Sequence, residues 1–207
     1  MSRTPCGARV ALVAGRALVL GGDAVSLQIE VGAGCTLELV EVGGTVAYDA
    51  DGQGSSWVTT VGLGPGSTLI WRGLETVISD GANLHRRTDI RMANDARALI
   101  REVLVLGRSG ERGGQLLLET SVTFGESPLL VESLDVRGDR PQPGILSDHR
   151  VLESVLIAGI DPDLTDEKHT MELAGPGALA RSLGSAAHGL SLEETWNSWH
   201  TQLTRRP

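Results

Sequence analysis

Val31-Gly-Ala-Gly-Cys-Thr-Leu37 recurs in outline as Leu63-Gly-Pro-Gly-Ser-Thr-Leu69 and again as Met92-Ala-Asn-Asp-Ala-Arg-Ala98. Each copy predicts a strand, a tight turn and a second strand, and successive copies lie about 30 residues apart. Repeats of this length are typical of solenoids, in which supersecondary units stack on one another. Three degenerate copies also fit an ordinary meander, and the sequence leaves both arrangements open.

Alternation of apolar and polar residues extends outward from these copies. In Ser26–Val31 the side chains of Leu27, Ile29 and Val31 share one face, and Cys35–Val42 alternates in the same way. Such alternation is typical of half-buried strands. Gly and Asp stand in nearly every gap, as tight turns require. The further predicted strands are Ser56–Val61, Thr68–Trp71, Arg87–Met92, Ala98–Leu106, Gln115–Phe124, Pro128–Val136 and Leu152–Ile160.

The pattern changes beyond the loop Arg140–Gly144. A first helix is predicted from about Pro176 to Ala187, because Pro is tolerated at the first helical position. A second helix is predicted from Ser191, where Ser191-Leu-Glu-Glu194 forms a capping box. We therefore expect one domain over residues 1–207, with strands over about 8–160 and helices over about 176–203.

An apolar stripe follows that capping box. Leu192, Trp196, Trp199 and Leu203 fall on one face of the predicted helix. The stripe favours packing on the protein's own sheet, and the alternative is a partner surface, since Trp residues are frequent anchors of interfaces.

Composition excludes several classes of function. The 207 residues carry 18 Lys and Arg against 26 Asp and Glu, a net charge of −8, which argues against a nucleic-acid groove. No apolar run approaches the length of a transmembrane helix, and Arg16 interrupts the apolar stretch Val10–Leu20, so we expect a cytoplasmic protein that does not bind membranes. Cys6 and Cys35 form no CxxC motif, which argues against a disulfide framework.

No catalytic or tight metal-binding motif is present. The sequence lacks GxSxG, a P-loop and HExxH, and its histidines share no ligand-like spacing. Carboxylates are scattered beside apolar strands, where they must be paired, coordinated or hydrated. Most are expected to be surface charges or Arg partners, and spacing identifies no acid–base pair.

Four segments, in order, resemble the urease accessory proteins called UreD, or UreH in some species. They are the turn Gly21-Gly22-Asp23 with the strand and Gly-rich turn after it, Leu63–Trp71 with Glu75 soon after, Ala98–Glu111 with its Gly107-Arg108-Ser-Gly110-Glu111 ending, and Pro176–Gly184 followed by a Trp-bearing helix. The resemblance covers roughly residues 8–203. Two departures are the near absence of the strands that usually precede the GGD turn, and the missing proline shortly before Glu75.

The resemblance implies a mainly β fold, a β-helix-like stack of strands with two C-terminal α-helices. It implies a non-enzymatic chaperone required for nickel insertion into apo-urease. Such a protein binds the accessory protein UreF, which recruits the GTPase UreG, and nickel(II) crosses a water-filled passage without being tightly bound.

Candidate residues follow from the segments that resemble the family. Asp23, Glu75 and Glu102 stand on those segments and are candidates for lining the nickel passage, because weakly held oxygen ligands suit transfer. The motif residues are Gly21, Gly22, Asp23, Gly107, Arg108 and Glu111. Trp196, Trp199 and Leu203 are the candidates for UreF contact.

Two other classes of function fit the sequence less well. A β-rich binding module unrelated to urease, for example for carbohydrate, would need exposed aromatic platforms, and aromatic residues are only 3% of this chain. An enzyme on a β scaffold would need a convergent His, Cys or Ser constellation, which the sequence does not suggest.

Overall fold

The structure, a computed structural model, describes residues 2–4, 7–15, 19–49, 51–140, 143–164, 169–189 and 192–205. Over these residues the chain is mainly β. Its elements are β1 (Ser2–Thr4), β2 (Gly7–Leu12), β3 (Ala24–Val31), β4 (Thr36–Glu41), β5 (Thr45–Ala47), β6 (Ser55–Leu63), β7 (Thr68–Ile78), β8 (Asn83–Met92), β9 (Arg97–Leu106), β10 (Gln115–Phe124), β11 (Ser127–Arg137), β12 (Val151–Ala158), β13 (Thr170–Glu172), β14 (Gly177–Gly184), a 3₁₀ turn (Ala187–Gly189) and α1 (Glu193–Thr204).

The repeat identified in the sequence is a structural repeat. The first residues of its three copies pair in one sheet, Val31 with Leu63 and Leu63 with Met92. Their last residues pair in a second sheet, Leu37 with Leu69 and Leu69 with Ala98. All these pairings are parallel, whereas a meander would pair hairpin neighbours antiparallel. Of the two arrangements left open, the solenoid-like stack is the observed one.

Two sheets face each other across the core. The five-stranded sheet has the order β11-β10-β8-β6-β3, and the nine-stranded sheet has the order β1-β2-β4-β7-β9-β12-β14-β13, with β5 beside β7. Backbone hydrogen bonds also stack the turns between the sheets, from Gly64 N–H to the Val31 carbonyl (2.9 Å) and from Ala93 N–H to the Leu63 carbonyl (2.9 Å). The C-terminal strands β12, β14 and β13 extend the nine-stranded sheet by antiparallel pairing.

The expectation of two C-terminal helices is wrong, because Pro176–Ala187 contains β14 rather than a helix. Ala, Leu and Arg in this segment are good helix formers, which explains the prediction. However, β12 offers a free edge, and all eight residues of β14 pair with it. Ala178 and Ala180 are buried on one face of the sheet and Leu179 on the other. Strand pairing and burial on both faces therefore override the local propensity.

Helix α1 packs on the outer face of the nine-stranded sheet. Trp196, Trp199 and Leu203 are buried there, with Trp199 at 0% exposure, against Leu99 and Val155. The stripe thus packs on the protein's own sheet, and these side chains are at most 4% exposed. Ser191, the first residue of the predicted capping box, lies outside the described residues.

Candidate functional site

A layer of polar side chains divides the core between the sheets into two apolar clusters. One cluster lies toward the turns of the sequence repeat and includes Ile90 and Leu156, and the other lies toward the opposite ends of the strands and includes Leu84 and Leu152. Between the two clusters, most strands carry a polar residue on their interior face, where the alternation pattern would place an apolar one. We call this layer the polar belt; its residues are Glu41, Thr59, Arg86, Thr88, Glu102, Thr120, Glu132, Ser154 and Arg181.

The strand registers align the polar belt across both sheets. In the five-stranded sheet, Thr59 pairs with Thr88, Thr88 with Thr120 and Thr120 with Glu132. In the nine-stranded sheet, Glu102 pairs with Ser154 and Ser154 with Arg181. Since paired residues point to the same face, two polar rows run perpendicular to the strands and face each other.

A narrow cleft of about 60 Å³, partly open to solvent, follows these rows. Its lining includes Glu41, Trp71 and Arg86 at one side and Glu132 and Arg181 at the other. Several belt residues keep partial exposure although they lie between the sheets, as expected for side chains facing a hydrated space.

A β-bulge in β7 shapes the cleft beside Glu102. Arg72 pairs with Arg101 and Glu75 with Val103, so Gly73 and Leu74 together stand opposite Glu102. A side chain at position 73 would place its Cβ 2.5 Å from the Arg101 carbonyl oxygen, which favours glycine there.

Glu41 stabilises the bulge from the neighbouring strand. The Leu74 N–H, released from the ladder, donates to Glu41 Oε2 (2.8 Å), and Trp71 Nε1 donates to Glu41 Oε1 (2.9 Å). Arg101 Nη1 donates to the Gly73 carbonyl (3.0 Å). These hydrogen bonds satisfy the Leu74 N–H and the Gly73 carbonyl, which makes the bulge an ordered part of the wall.

Two Arg–Glu pairs occupy the polar belt. Arg86 Nε lies 2.9 Å from Glu102 Oε1, and the Arg181 guanidinium pairs with the Glu132 carboxylate. Arg181 Nε also donates to Ser154 Oγ (3.4 Å), and Ser154 pairs with Glu102 in the strand register. The belt thus carries three carboxylates, with Glu41, against two guanidiniums.

Arg181 also borders a groove on the surface. Its lining includes the exposed side chains of Ile145, Met171 and Leu183. Arg181 thus lines both the cleft of the polar belt and this partly apolar surface groove.

Carboxylate and hydroxyl oxygens dominate the belt. They can hold a divalent cation, and the partly paired carboxylates would hold it weakly. Among the residues that the structure describes, no three His, Cys, Asp or Glu side chains form a group that could hold a metal ion. The arrangement therefore suits transient contact with a cation better than storage of one.

Of the three carboxylates predicted to line a passage, only Glu102 belongs to the polar belt. Asp23 lies in the GGD turn, where its Oδ2 accepts a hydrogen bond from Leu20 N–H (3.0 Å). Glu75 lies just past the bulge, and its neighbour Thr76 faces the interior, so alternation places Glu75 on the outer face of the sheet.

The GGD turn stabilises a local bend. Gly22 adopts a positive φ of 83°, which glycine tolerates best, and its N–H donates to the Gly54 carbonyl (3.0 Å). Gly21 precedes it in the same turn, and Asp23 N–H donates back to the Leu20 carbonyl (3.0 Å). These contacts give the motif a structural role at the start of the stack.

The second motif builds the loop between β9 and β10. Arg108 N–H and Nε donate to the Glu111 carboxylate (2.9 and 2.8 Å), and this hydrogen bonding from Arg108 lowers the pKa of Glu111 from 4.5 to about 2. Gly107 has a φ of 71°, and Arg150 Nη2 donates to the carbonyls of Gly107 (3.0 Å) and Arg108 (2.9 Å). Asp80 accepts from Gly113 N–H (2.7 Å) at the other end of the loop.

Sequence reasoning missed most of the polar belt. A usable signal was present: Leu84, Arg86, Thr88 and Ile90 alternate on one face of β8, so two polar residues interrupt an apolar face. The same interruption recurs at Thr120 in β10. A search for polar residues on otherwise apolar strand faces would have found these positions.

No helix in the described part of the chain is both long and apolar enough to cross a membrane.

Comparisons with known proteins bear on the role of this site. The family model described as UreD urease accessory protein matches residues 7–202. Urease accessory protein UreD 1 of Streptomyces griseus subsp. griseus is 40% identical, over 91% of this chain and 76% of its own length. Urease accessory protein UreD 1 of Saccharopolyspora erythraea is 36% identical, over 86% and 72%, and Urease accessory protein UreD of a Parafrankia species is 32% identical, over 87% and 71%.

Proposed function

The chain belongs to the UreD family of urease accessory proteins, and on that premise we propose that it is a non-catalytic chaperone for nickel insertion into apo-urease. The polar belt is the main structural observation that supports this proposal. In this role nickel(II) is cargo, and the belt is its route between the two sheets.

The chemistry of the belt supports the passage of a divalent cation. Three carboxylates and four hydroxyl side chains supply oxygen ligands along the row. Because the guanidiniums of Arg86 and Arg181 already pair with two of the carboxylates, a cation competes for each oxygen and leaves easily. The acidic balance of the whole chain, −8, attracts cations toward the protein over longer distances.

The two-sheet framework suits a scaffold. Parallel strands joined by stacked turns fix the belt residues at defined registers, so the route does not depend on mobile loops. We propose that the protein works in the cytoplasm with a UreF-like partner, a UreG-like GTPase recruited through that partner, and apo-urease.

Deletion of the gene in its host tests this role. We expect urease protein to accumulate at its normal level with little nickel per subunit and little activity, and a plasmid copy to restore both. Normal nickel loading in the deletion strain under scarce nickel would contradict the proposal. Co-purification with tagged UreF-like protein separately tests the partner.

A further inference from the structure

Contacts other than the one with Glu102 hold the Arg86 side chain in the polar belt. Its Nη1 donates to Thr76 Oγ1 (2.5 Å), and its guanidinium carbon lies 5.7 Å from the centre of the Trp57 ring. Trp57 is held in turn, because its Nε1 donates to Thr59 Oγ1 (3.1 Å). A cation–π contact and a hydrogen bond thus anchor the guanidinium on one side.

The contact between Arg86 and Glu102 is an ion pair without a hydrogen bond. Arg86 Nε and Glu102 Oε1 are 2.9 Å apart, yet Nε is buried and makes no hydrogen bond to any residue in the described part of the chain. The neighbouring pair differs, since Arg101 Nε donates a well-aligned bond to Glu153 Oε1 (2.7 Å). Aligned charge-assisted bonds are the stronger kind, so Arg86 holds Glu102 less firmly than Arg101 holds Glu153.

From these contacts, and resting on the proposed function, we propose that Arg86 is the displaceable counter-charge of Glu102. With the passage empty, Arg86 neutralises the Glu102 carboxylate. An arriving divalent cation takes over the carboxylate, while the guanidinium stays on Trp57 and Thr76. From that position its positive charge repels the cation and neutralises Glu102 again once the cation leaves, which keeps the cation from being trapped.

The size of the effect follows from electrostatics. At the effective dielectric of a protein, a guanidinium in ion-pair contact with a carboxylate attracts it strongly and repels any cation that approaches the same oxygens. A metal cation at the same carboxylate meets the same competitor. Removing the charge at position 86 should therefore tighten cation binding at Glu102 by about tenfold or more.

Calorimetric titration of the full chain with nickel chloride tests this inference. We expect Arg86→Gln to bind nickel(II) at least about tenfold more tightly than the unaltered protein, and Arg86→Gln/Glu102→Gln to lose that gain. The matched control is Arg87→Gln on the same strand, because Arg87 is exposed and pairs with Asp89 (2.8 Å). Its affinity should stay unchanged.

Two results would overturn the inference. One is an Arg86→Gln affinity equal to that of the unaltered protein or of Arg87→Gln, and the other is a gain that persists in the double variant. Should Arg86→Gln fail to fold by circular dichroism, Arg86→Lys serves instead. It keeps the charge and should bind within about threefold of the unaltered protein, and a tenfold gain in that variant would also contradict the inference.

Nickel per urease subunit separates this inference from the proposed function. Tight nickel binding by Arg86→Gln together with reduced loading of urease supports both. Tight binding with normal loading supports the counter-charge at Glu102 and contradicts the passage. Unchanged binding contradicts the counter-charge, whatever the loading.

Discussion

Replacing Glu153 with Leu should destabilise the protein through the charge left behind on Arg101. Glu153 is 2% exposed beneath the start of α1, and its carboxylate accepts from Arg101 Nε (2.7 Å) and from Leu192 N–H (3.2 Å). Removing one partner of a buried ion pair costs about 3–5 kcal/mol. Arg101 keeps a hydrogen bond to the Gly73 carbonyl, so we expect the lower end, about 3 kcal/mol.

Denaturant unfolding followed by circular dichroism measures this free energy. For a chain of this size the same loss lowers the melting temperature by about 6–12 °C. The matched control is Glu119→Gln, because Glu119 pairs with His85 at 2.7 Å but both side chains are about 40% exposed. That variant should cost under about 1 kcal/mol.

A loss of less than about 1 kcal/mol for Glu153→Leu would contradict this prediction, since leaving a buried charge unpaired costs about 3–5 kcal/mol. The double variant Arg101→Met/Glu153→Leu provides a second check. It should be more stable than Glu153→Leu alone, because it removes the unpaired charge. Equal stability of the two would show that the penalty has another cause.

The loop between β9 and β10 supports two further predictions. Gly107→Ala should lower the free energy of unfolding clearly more than Gly110→Ala. Both glycines have a positive φ, which costs an alanine about 1–2 kcal/mol. Only at position 107 would the new Cβ also lie 2.7 Å from a backbone nitrogen. Equal costs would contradict this. The Arg108–Glu111 pair should stabilise the loop above pH 4.5 and lose its effect as pH falls toward 2, because the pKa of Glu111 is lowered in the folded state. Titration of the Glu111 carboxyl by NMR should show its pKa rising toward 4.5 in Arg108→Gln, and an unchanged midpoint would disprove the assigned cause.

Much of the stack could be predicted from the sequence because its signals are local. The copies beginning at Val31, Leu63 and Met92 specify strand, turn and strand through alternation and glycine, and the structure pairs those three residues in register. The repeat was therefore informative, although the parallel pairing that distinguishes a solenoid from a meander is a long-range property.

The rest depends on contacts that the sequence does not reveal. β14 is a strand because it pairs with the edge of β12, although its own residues favour a helix. The bulge changes which residues of β7 face the core. Strict alternation would place Trp71 and Ile78 on opposite faces of the sheet, yet both are in the core because the bulge lies between them. Until that bulge is known, Glu75 and Glu102 are equally good candidates, and only the fold places Glu102 inside.

The most direct test of the account is the nickel content of urease purified from a strain in which Ser154 is replaced by Met. Ser154 lies mid-row between Glu102 and Arg181, and a longer apolar side chain there would obstruct the belt. Ser133→Met, on the exposed outer face of β11, is the control. With both proteins present at equal level, Ser154→Met should lower nickel per urease subunit while Ser133→Met should not. Full nickel loading with a folded Ser154→Met protein would contradict a passage through the polar belt.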